Sequence, residues 1–197
     1  MKIEITNDPI QLGQTAGRDA GALIRTAIKQ RGGANIILAT GTSQFETLNQ
    51  LRREEGIEWS KVVMFHLDEY IGLPDRHPAS FRKYLQERFL TKVPSLKGAH
   101  LINGETNPEA ECVWLGDLIS QHPIDVALVG IGENGHLAFN DPPADFDTDE
   151  PHIIVNLDDA CRQQQYGEGW FKTVDDVPKQ AISMSIRQIL KSKSIIC

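Results

Sequence analysis

Hydrophobic and polar positions alternate along the chain between helical spacing and short apolar runs. Residues 9–30 carry apolar side chains three and four positions apart, and Gly32-Gly33 predicts the end of that helix. Three further helices are predicted: one after Ser43 that ends at about Arg53, one from Ser80 to Leu90, and one from Pro108 to Ser120. Short strands, most of them apolar throughout, are predicted at 1–5, 34–39, 62–65, 124–129, 152–157, 181–185 and 194–197.

Strands that are apolar on both faces lie in sheets covered by helices on both sides. The alternation of such strands with helices predicts an α/β fold, doubly wound (Rossmann-like), with a mainly parallel sheet. No repeat, low-complexity stretch or linker divides residues 1–197, which predicts one α/β domain. The chain ends on an apolar strand with no helix after it, so we expect a C-terminal strand–helix segment to be missing.

Composition narrows the classes of function. The chain has 197 residues, 40% of them hydrophobic and 24% charged, as in ordinary globular proteins. No apolar run predicts a membrane span or a signal core, and three widely spaced cysteines favour a reducing compartment, so we expect a cytoplasmic protein. A formal charge of −7 argues against nucleic-acid binding and means that an anionic ligand needs a local binding device.

Three of the predicted strands end in residues suited to chemistry, at the sheet edge where α/β proteins bind ligands. The first ends in Thr40, Gly41, Thr42 and Ser43. Glycine lets the backbone approach a ligand and the hydroxyls can donate, which suits a phosphate, but an ordinary capped helix start explains the loop equally well. No lysine follows the glycine, so this is not a nucleotide P-loop.

The second strand ends in two consecutive acids, Asp68 and Glu69. Adjacent strand residues face opposite sides. One of the two carboxyls is therefore expected to face the crevice and the other to make structural hydrogen bonds, and both could also be solvated strand ends.

The third strand is followed by Gly130-Ile131-Gly132-Glu133-Asn134-Gly135-His136. This run matches the GxGxxG dinucleotide pattern, with Asp158 as a candidate ribose-binding acid, but Pro142-Pro143 interrupts the helix that the pattern requires. What remains is a histidine in a glycine loop, five residues before Asp141, able to give and take protons near neutral pH.

These blocks resemble the glucosamine-6-phosphate deaminases, within the larger group that also holds the 6-phosphogluconolactonases. The resemblance covers nearly the whole chain and is carried by Leu38 to Ser43, Phe65 to Pro74, His77 to Phe81 and Asp125 to Pro142. Lactonases typically carry Asp-Glu-Arg at the second block, so Tyr70 and Gly72 favour the deaminase side.

The resemblance implies conversion of glucosamine 6-phosphate, or a related hexosamine 6-phosphate, to the ketose 6-phosphate and ammonia, with no metal or organic cofactor. Asp68 would be the base that moves a proton from C2 to C1, and His136 would open the sugar ring, oriented by Asp141 and Asn134. The residues implied to bind the substrate and its phosphate are Thr40, Gly41, Thr42, Ser43, Glu69 and Gly135. The partner would be a small sugar phosphate, with no nucleic acid or membrane, and assembly into a homo-oligomer is left open.

Several positions depart from the family pattern. Asp141 stands where glutamate is usual, Asn134 where some members carry aspartate, and Gln163-Gln164-Gln165 where the deaminases place a phosphate-binding arginine. The acidic run 145–150 replaces a basic allosteric segment, so no such regulation is expected. A 6-phosphogluconolactonase-type hydrolase and a non-catalytic sugar-phosphate sensor are therefore the alternative functions.

Overall fold

The computed structural model of the protein describes residues 1–132 and 134–197; Glu133, within the third motif, lies outside the described residues. Within these described residues, eight strands form two sheets. They are β1 Ala34–Leu38, β2 Val62–His66, β3 Asp68–Tyr70, β4 Gly98–His100, β5 Val126–Leu128, β6 His152–Asn156, β7 Gln180–Met184 and β8 Ser194–Ile196. The α-helices are α1 Pro9–Arg31, α2 Phe45–Leu51, α3 Phe81–Arg88, α4 Pro108–Ser120, α5 Asp159–Gly167 and α6 Ile186–Leu190.

The main sheet has five strands in the order β4-β2-β1-β5-β8, and all of its pairs are parallel. Alternate side chains of each strand enter two cores: Ile36 and Met64 pack with α1, α2 and α3, whereas Ile37 and Phe65 pack with α4 and α6. Helices thus cover both faces, and the α/β prediction is confirmed. After β1 the chain forms β2 and β4 on one side of it, and then β5 and β8 on the other side. The switch point of the sheet therefore lies between β1 and β5.

A second sheet of three antiparallel strands, in the order β3-β7-β6, corrects the expectation of a single sheet. The apolar runs at 152–157 and 181–185 do form strands, but they pair with each other and with β3. Strands β3 and β4 were not predicted, since each has only three residues and neither forms an apolar run. The predicted strand at 1–5 is wrong, because residues 1–6 have no regular structure and Ile3 and Ile5 are 74% and 92% exposed.

Helix α1 packs against α2 through a row of glycines one helical turn apart. A Cβ built on Gly13 would lie 2.3 Å from the Glu46 Cβ, and one on Gly17 would lie 2.6 Å from the Gln50 Cβ. Only glycine permits this approach of two backbones, and it sets α2, and the loop before it, against the sheet. In the described part of the chain no helix combines the length and apolar character needed to cross a bilayer.

Candidate active site

A cavity of about 210 Å³ opens at the carboxyl ends of β1 and β5, at the switch point of the main sheet. Both glycine-containing loops contribute to it, together with residues from β3 and α5. The residues that line it are Ala39, Thr40, Gly41, Thr42, Ser43, Leu67, Asp68, Phe81, Gly130, Ile131, Gly132, His136, Ala138, Phe139, Gln164, Gln165 and Glu168. Six of the ten residues expected at the site therefore share one cavity wall.

The first of these loops, Thr40 to Ser43, is held from two sides. The Tyr84 hydroxyl donates to the Gly41 carbonyl oxygen at 2.9 Å, and the side-chain amide of the next residue, Gln44, donates to the Val129 carbonyl oxygen at 3.2 Å. Gly41 has a φ of 98°, a left-handed conformation that favours glycine. The loop thus presents its backbone and the exposed hydroxyls of Thr42 and Ser43 to the cavity in a fixed arrangement.

Asp68 begins β3 and lines the cavity, although only 6% of its surface is exposed. No described residue donates a hydrogen bond to its carboxyl oxygens. Burial, and then the neighbouring Glu69 carboxyl, raise the pKa of Asp68 to about 8. A carboxyl in this state is poised to exchange a proton near neutral pH.

Glu69 does not line the cavity, which corrects the expectation that it contacts the substrate. Its side chain is fully buried on the other side of β3 and accepts hydrogen bonds from the Ser80 hydroxyl at 2.9 Å and the Arg82 backbone N–H at 2.8 Å. The Arg82 guanidinium also lies 3.4 Å from the carboxylate. Burial raises the pKa of Glu69 while these donors oppose the shift, so Glu69 anchors the start of α3.

The His136 imidazole is fixed through its Nδ1 atom. Nδ1 lies 2.6 Å from the Asn134 side-chain oxygen and 3.1 Å from the Asp141 carboxylate, and Asn134 in turn donates to Asp141 at 3.1 Å. With two acceptors beside it, Nδ1 carries the hydrogen, which leaves Nε2 for a ligand. The sequence placed Asn134 and Asp141 beside His136, and the structure brings the three together.

Two glycines of the same loop have separate tasks. A Cβ on Gly132 would lie 2.1 Å from the His136 ring, so only glycine leaves room for the imidazole. Gly135, expected to bind substrate, does not line the cavity; it is exposed, has a φ of 85°, and its N–H donates to the Gly132 carbonyl oxygen at 2.9 Å. It makes the turn that positions His136.

Helix α5 adds cavity residues that the sequence did not single out as site residues. Gln165 is held by the Tyr70 hydroxyl, which donates to its side-chain oxygen at 2.6 Å, so the amide nitrogen is left for the cavity. Gln164 and Glu168 complete this wall. The sequence analysis noted the glutamine run only because the family places an arginine there. Nothing in the sequence around Glu168 indicated that it would line the site.

The fold and this cavity define an α/β protein in which Asp68 and His136 line one cavity at the carboxyl ends of the parallel strands. The chain matches the family described as glucosamine-6-phosphate isomerases/6-phosphogluconolactonase over residues 7–197, and it belongs to that family.

Relatives within the family point to one branch. A glucosamine-6-phosphate deaminase of Oenococcus oeni is 35% identical over 198 residues, covering 100% of this chain and 79% of that protein. A glucosamine-6-phosphate deaminase of Streptococcus pneumoniae (strain 70585) is 37% identical over 166 residues, covering 84% of this chain and 68% of that protein.

Solved structures agree in fold. A monomeric glucosamine-6-phosphate deaminase superposes with a TM-score of 0.86 at 32% identity, covering 99% of this chain and 80% of that one. A 6-phosphogluconolactonase from Shewanella baltica superposes with a TM-score of 0.78 at 21% identity, covering 96% of this chain and 77% of that one, which shows a shared fold alone.

Proposed function

We propose that the protein is an amino-sugar-phosphate deaminase that converts glucosamine 6-phosphate, or a related hexosamine 6-phosphate, to the matching ketose 6-phosphate and ammonia. The observation that carries the proposal is the presence of Asp68 and a fixed His136 in one cavity. The relatives at 35% and 37% identity are both named for this deamination.

The proposed reaction is an aldose–ketose shift followed by loss of nitrogen. His136, through Nε2, exchanges the proton that opens the sugar ring to the aldehyde. Asp68 removes the proton from C2 and returns it to C1, while O1 takes up the proton that the ammonium group at C2 loses, so the aldehyde becomes a C1 hydroxyl and C2 becomes an iminium carbon. Water then adds to C2, the C–N bond breaks, and ammonia leaves with the ketose 6-phosphate.

The raised pKa of Asp68 affects how this residue acts as the proposed base. A pKa of about 8 means that most Asp68 carboxyls are neutral at pH 7 and that the base is generated by deprotonation. A protonated substrate amine beside the carboxyl lowers its pKa, so substrate binding itself favours the ionised base.

The phosphate end of the proposed site relies on neutral donors. Among the described residues that line the cavity there is no lysine or arginine, so the phosphate is assigned to the loop Thr40 to Ser43 with its hydroxyls. Gln165, oriented by Tyr70, supplies a further N–H donor. A cytoplasmic location suits this soluble sugar-phosphate chemistry and the free Cys112, Cys161 and Cys197.

Ammonia release from a panel of hexosamine 6-phosphates tests the proposal. We expect glucosamine 6-phosphate or galactosamine 6-phosphate to yield ammonia and a ketose phosphate. Asp68→Asn should lower kcat by about a thousandfold or more while substrate still binds, because the amide cannot act as the base. Asp117→Asn, an exposed aspartate on α4, is the matched control and should retain full activity.

Two outcomes would replace the proposal. Faster hydrolysis of 6-phosphogluconolactone than release of ammonia would favour the lactone hydrolase. A sugar phosphate that raises the melting temperature but is never consumed would favour the non-catalytic sensor.

A further inference from the structure

Glu168 is a half-buried acid that, like Asp68 and unlike Glu69, has no hydrogen-bonding partner among the described residues. It follows the last residue of α5, and its side chain lines both the catalytic cavity and a neighbouring cavity of about 130 Å³. No described residue donates a hydrogen bond to its carboxyl or forms an ion pair with it. The two cavities also share Gly41, Thr42 and Phe81, so Glu168 stands at their junction.

A half-buried carboxylate without a protein donor keeps only part of its hydration, and a cationic ligand can replace the part that is lost. Burial raises the pKa of Glu168, in the direction expected for a group that gains little from its surroundings. Glu69, by contrast, is fully buried but surrounded by donors. The missing partner of Glu168 is therefore expected to be cationic and to come from outside the chain.

The charge of the catalytic cavity also favours a cation. Its described lining residues include two acids, Asp68 and Glu168, and neither lysine nor arginine. The C-terminal end of a helix dipole adds negative potential, and α5 ends directly before Glu168 with no basic residue in its last turn. A cationic group that enters this cavity is attracted by Glu168 and by the end of α5, and by Asp68 once that carboxyl is ionised.

We propose that Glu168 binds the protonated amino group at C2 of the substrate and so selects amino sugar phosphates over the corresponding hydroxyl sugars. This inference rests on the proposed deaminase function. The amino nitrogen is bonded to C2, whose proton Asp68 removes, so a residue that binds the nitrogen must share a cavity with Asp68. Glu168 meets that requirement.

The backbone around Glu168 is held firmly enough for selection. Its own N–H donates to the Gln164 carbonyl oxygen at 3.2 Å, and the Tyr70–Gln165 bond ties α5 to β3. The Arg162 guanidinium donates to the Val174 carbonyl oxygen at 2.7 Å and ties the same helix to the segment before β7. With the backbone fixed, only the side chain of Glu168 has to be ordered when it binds the ammonium group.

Binding of two open-chain polyols, measured by calorimetry, tests this role without turnover. The probes are 2-amino-2-deoxyglucitol 6-phosphate and glucitol 6-phosphate, which differ only in the amine. Glu168→Gln keeps the size of the side chain but removes its charge, and we expect about a tenfold loss of affinity for the amino polyol and less than a twofold change for glucitol 6-phosphate. Glu87→Gln, which changes a glutamate that lines the neighbouring cavity but not the catalytic one, should alter neither affinity.

The outcomes separate this inference from the proposed function. Equal loss for both polyols would show that Glu168 binds a hydroxyl or acts on the whole site, and no loss for either would show that it does not contact the ligand; each result overturns the inference. If the wild-type protein releases ammonia from amino sugar phosphates, the proposed function survives both results. If it binds neither polyol and releases no ammonia, the proposed function and this inference fail together.

Discussion

The two faces of β3 place chemically similar carboxyls in opposite situations. Asp68 pairs across the sheet with Ser183 and faces the cavity, whereas the next residue, Glu69, pairs with Ile182 and faces the start of α3. Both side chains are buried, and burial raises the pKa of both. Glu69 accepts hydrogen bonds from Ser80 and Arg82, while no described residue donates to Asp68.

This difference separates a carboxylate that stabilises the fold from one that is available for chemistry. Donors around Glu69 replace part of the water that it lost on burial and so offset part of the cost of its charge. Asp68 lacks such donors and keeps an unfavourable charge, which is the condition of a general base that takes up and releases protons near neutral pH. The same substitution, carboxyl to amide, should therefore have opposite effects on stability at these two adjacent positions.

Glu69→Gln is expected to give the larger effect, a loss of about 3 to 5 kcal/mol in the free energy of unfolding. The new amide places an N–H₂ group against backbone donors of α3 and leaves the Arg82 guanidinium with Glu105, at 2.8 Å, as its acidic partner. Urea unfolding followed by circular dichroism measures the change. A midpoint equal to that of the wild type would contradict the structural role assigned to Glu69.

Asp68→Asn should instead raise the free energy of unfolding, by a few kcal/mol near pH 8. The folded-state pKa of Asp68, about 8, lies above the ordinary value of 3.8, so the folded protein holds this proton more tightly than the unfolded chain does. The stability contributed by the neutral carboxyl is fully present below pH 3.8 and is lost as the pH rises through 8. The amide of Asn does not ionise, so the variant keeps this stability at pH 8.

The pH dependence provides the control for this second prediction. The stability difference between Asp68→Asn and the wild type should grow between pH 5 and 8 and then level off. A difference that is constant over this range would show that the Asp68 carboxyl is not raised in pKa. Asp117→Asn, on the exposed face of α4, should show no comparable trend.

Much of the main sheet could be predicted because its determinants are local. The Pro9–Arg31 helix ends at Gly32 with a φ of 79°, Ser80 caps α3, and α4 begins at Pro108, as the sequence indicates. The second sheet escaped prediction, because β6 and β7 have the same apolar character as parallel strands and only tertiary pairing reveals their direction.

The candidate site was predictable in its parts but not in their orientation. Strand alternation requires Asp68 and Glu69 to face opposite sides, yet it does not say which one faces the cavity. The five-residue spacing of His136 and Asp141 places them in one loop, and the 3.1 Å contact follows from the turn at Gly135. Glu168 could not be found, because its significance lies in the missing partner, a property of the packed structure.

The smallest effect expected is a shift in the pH dependence of turnover. It tests whether Asp68, unlike Glu69, exchanges a proton during catalysis. If Asp68 is the base, kcat/KM should rise about tenfold per pH unit below its folded-state pKa of about 8 and level off above it. The amine of the free substrate also titrates, so its pKa is measured separately by NMR and its contribution is removed from the profile. Because kcat reports the substrate complex, where a protonated amine lies beside Asp68, its rise should occur at lower pH than that of kcat/KM.

Two results would contradict this prediction. If kcat and kcat/KM rise at the same pH, the amine does not reach Asp68. If kcat/KM does not rise between pH 6 and 8, another residue is the base.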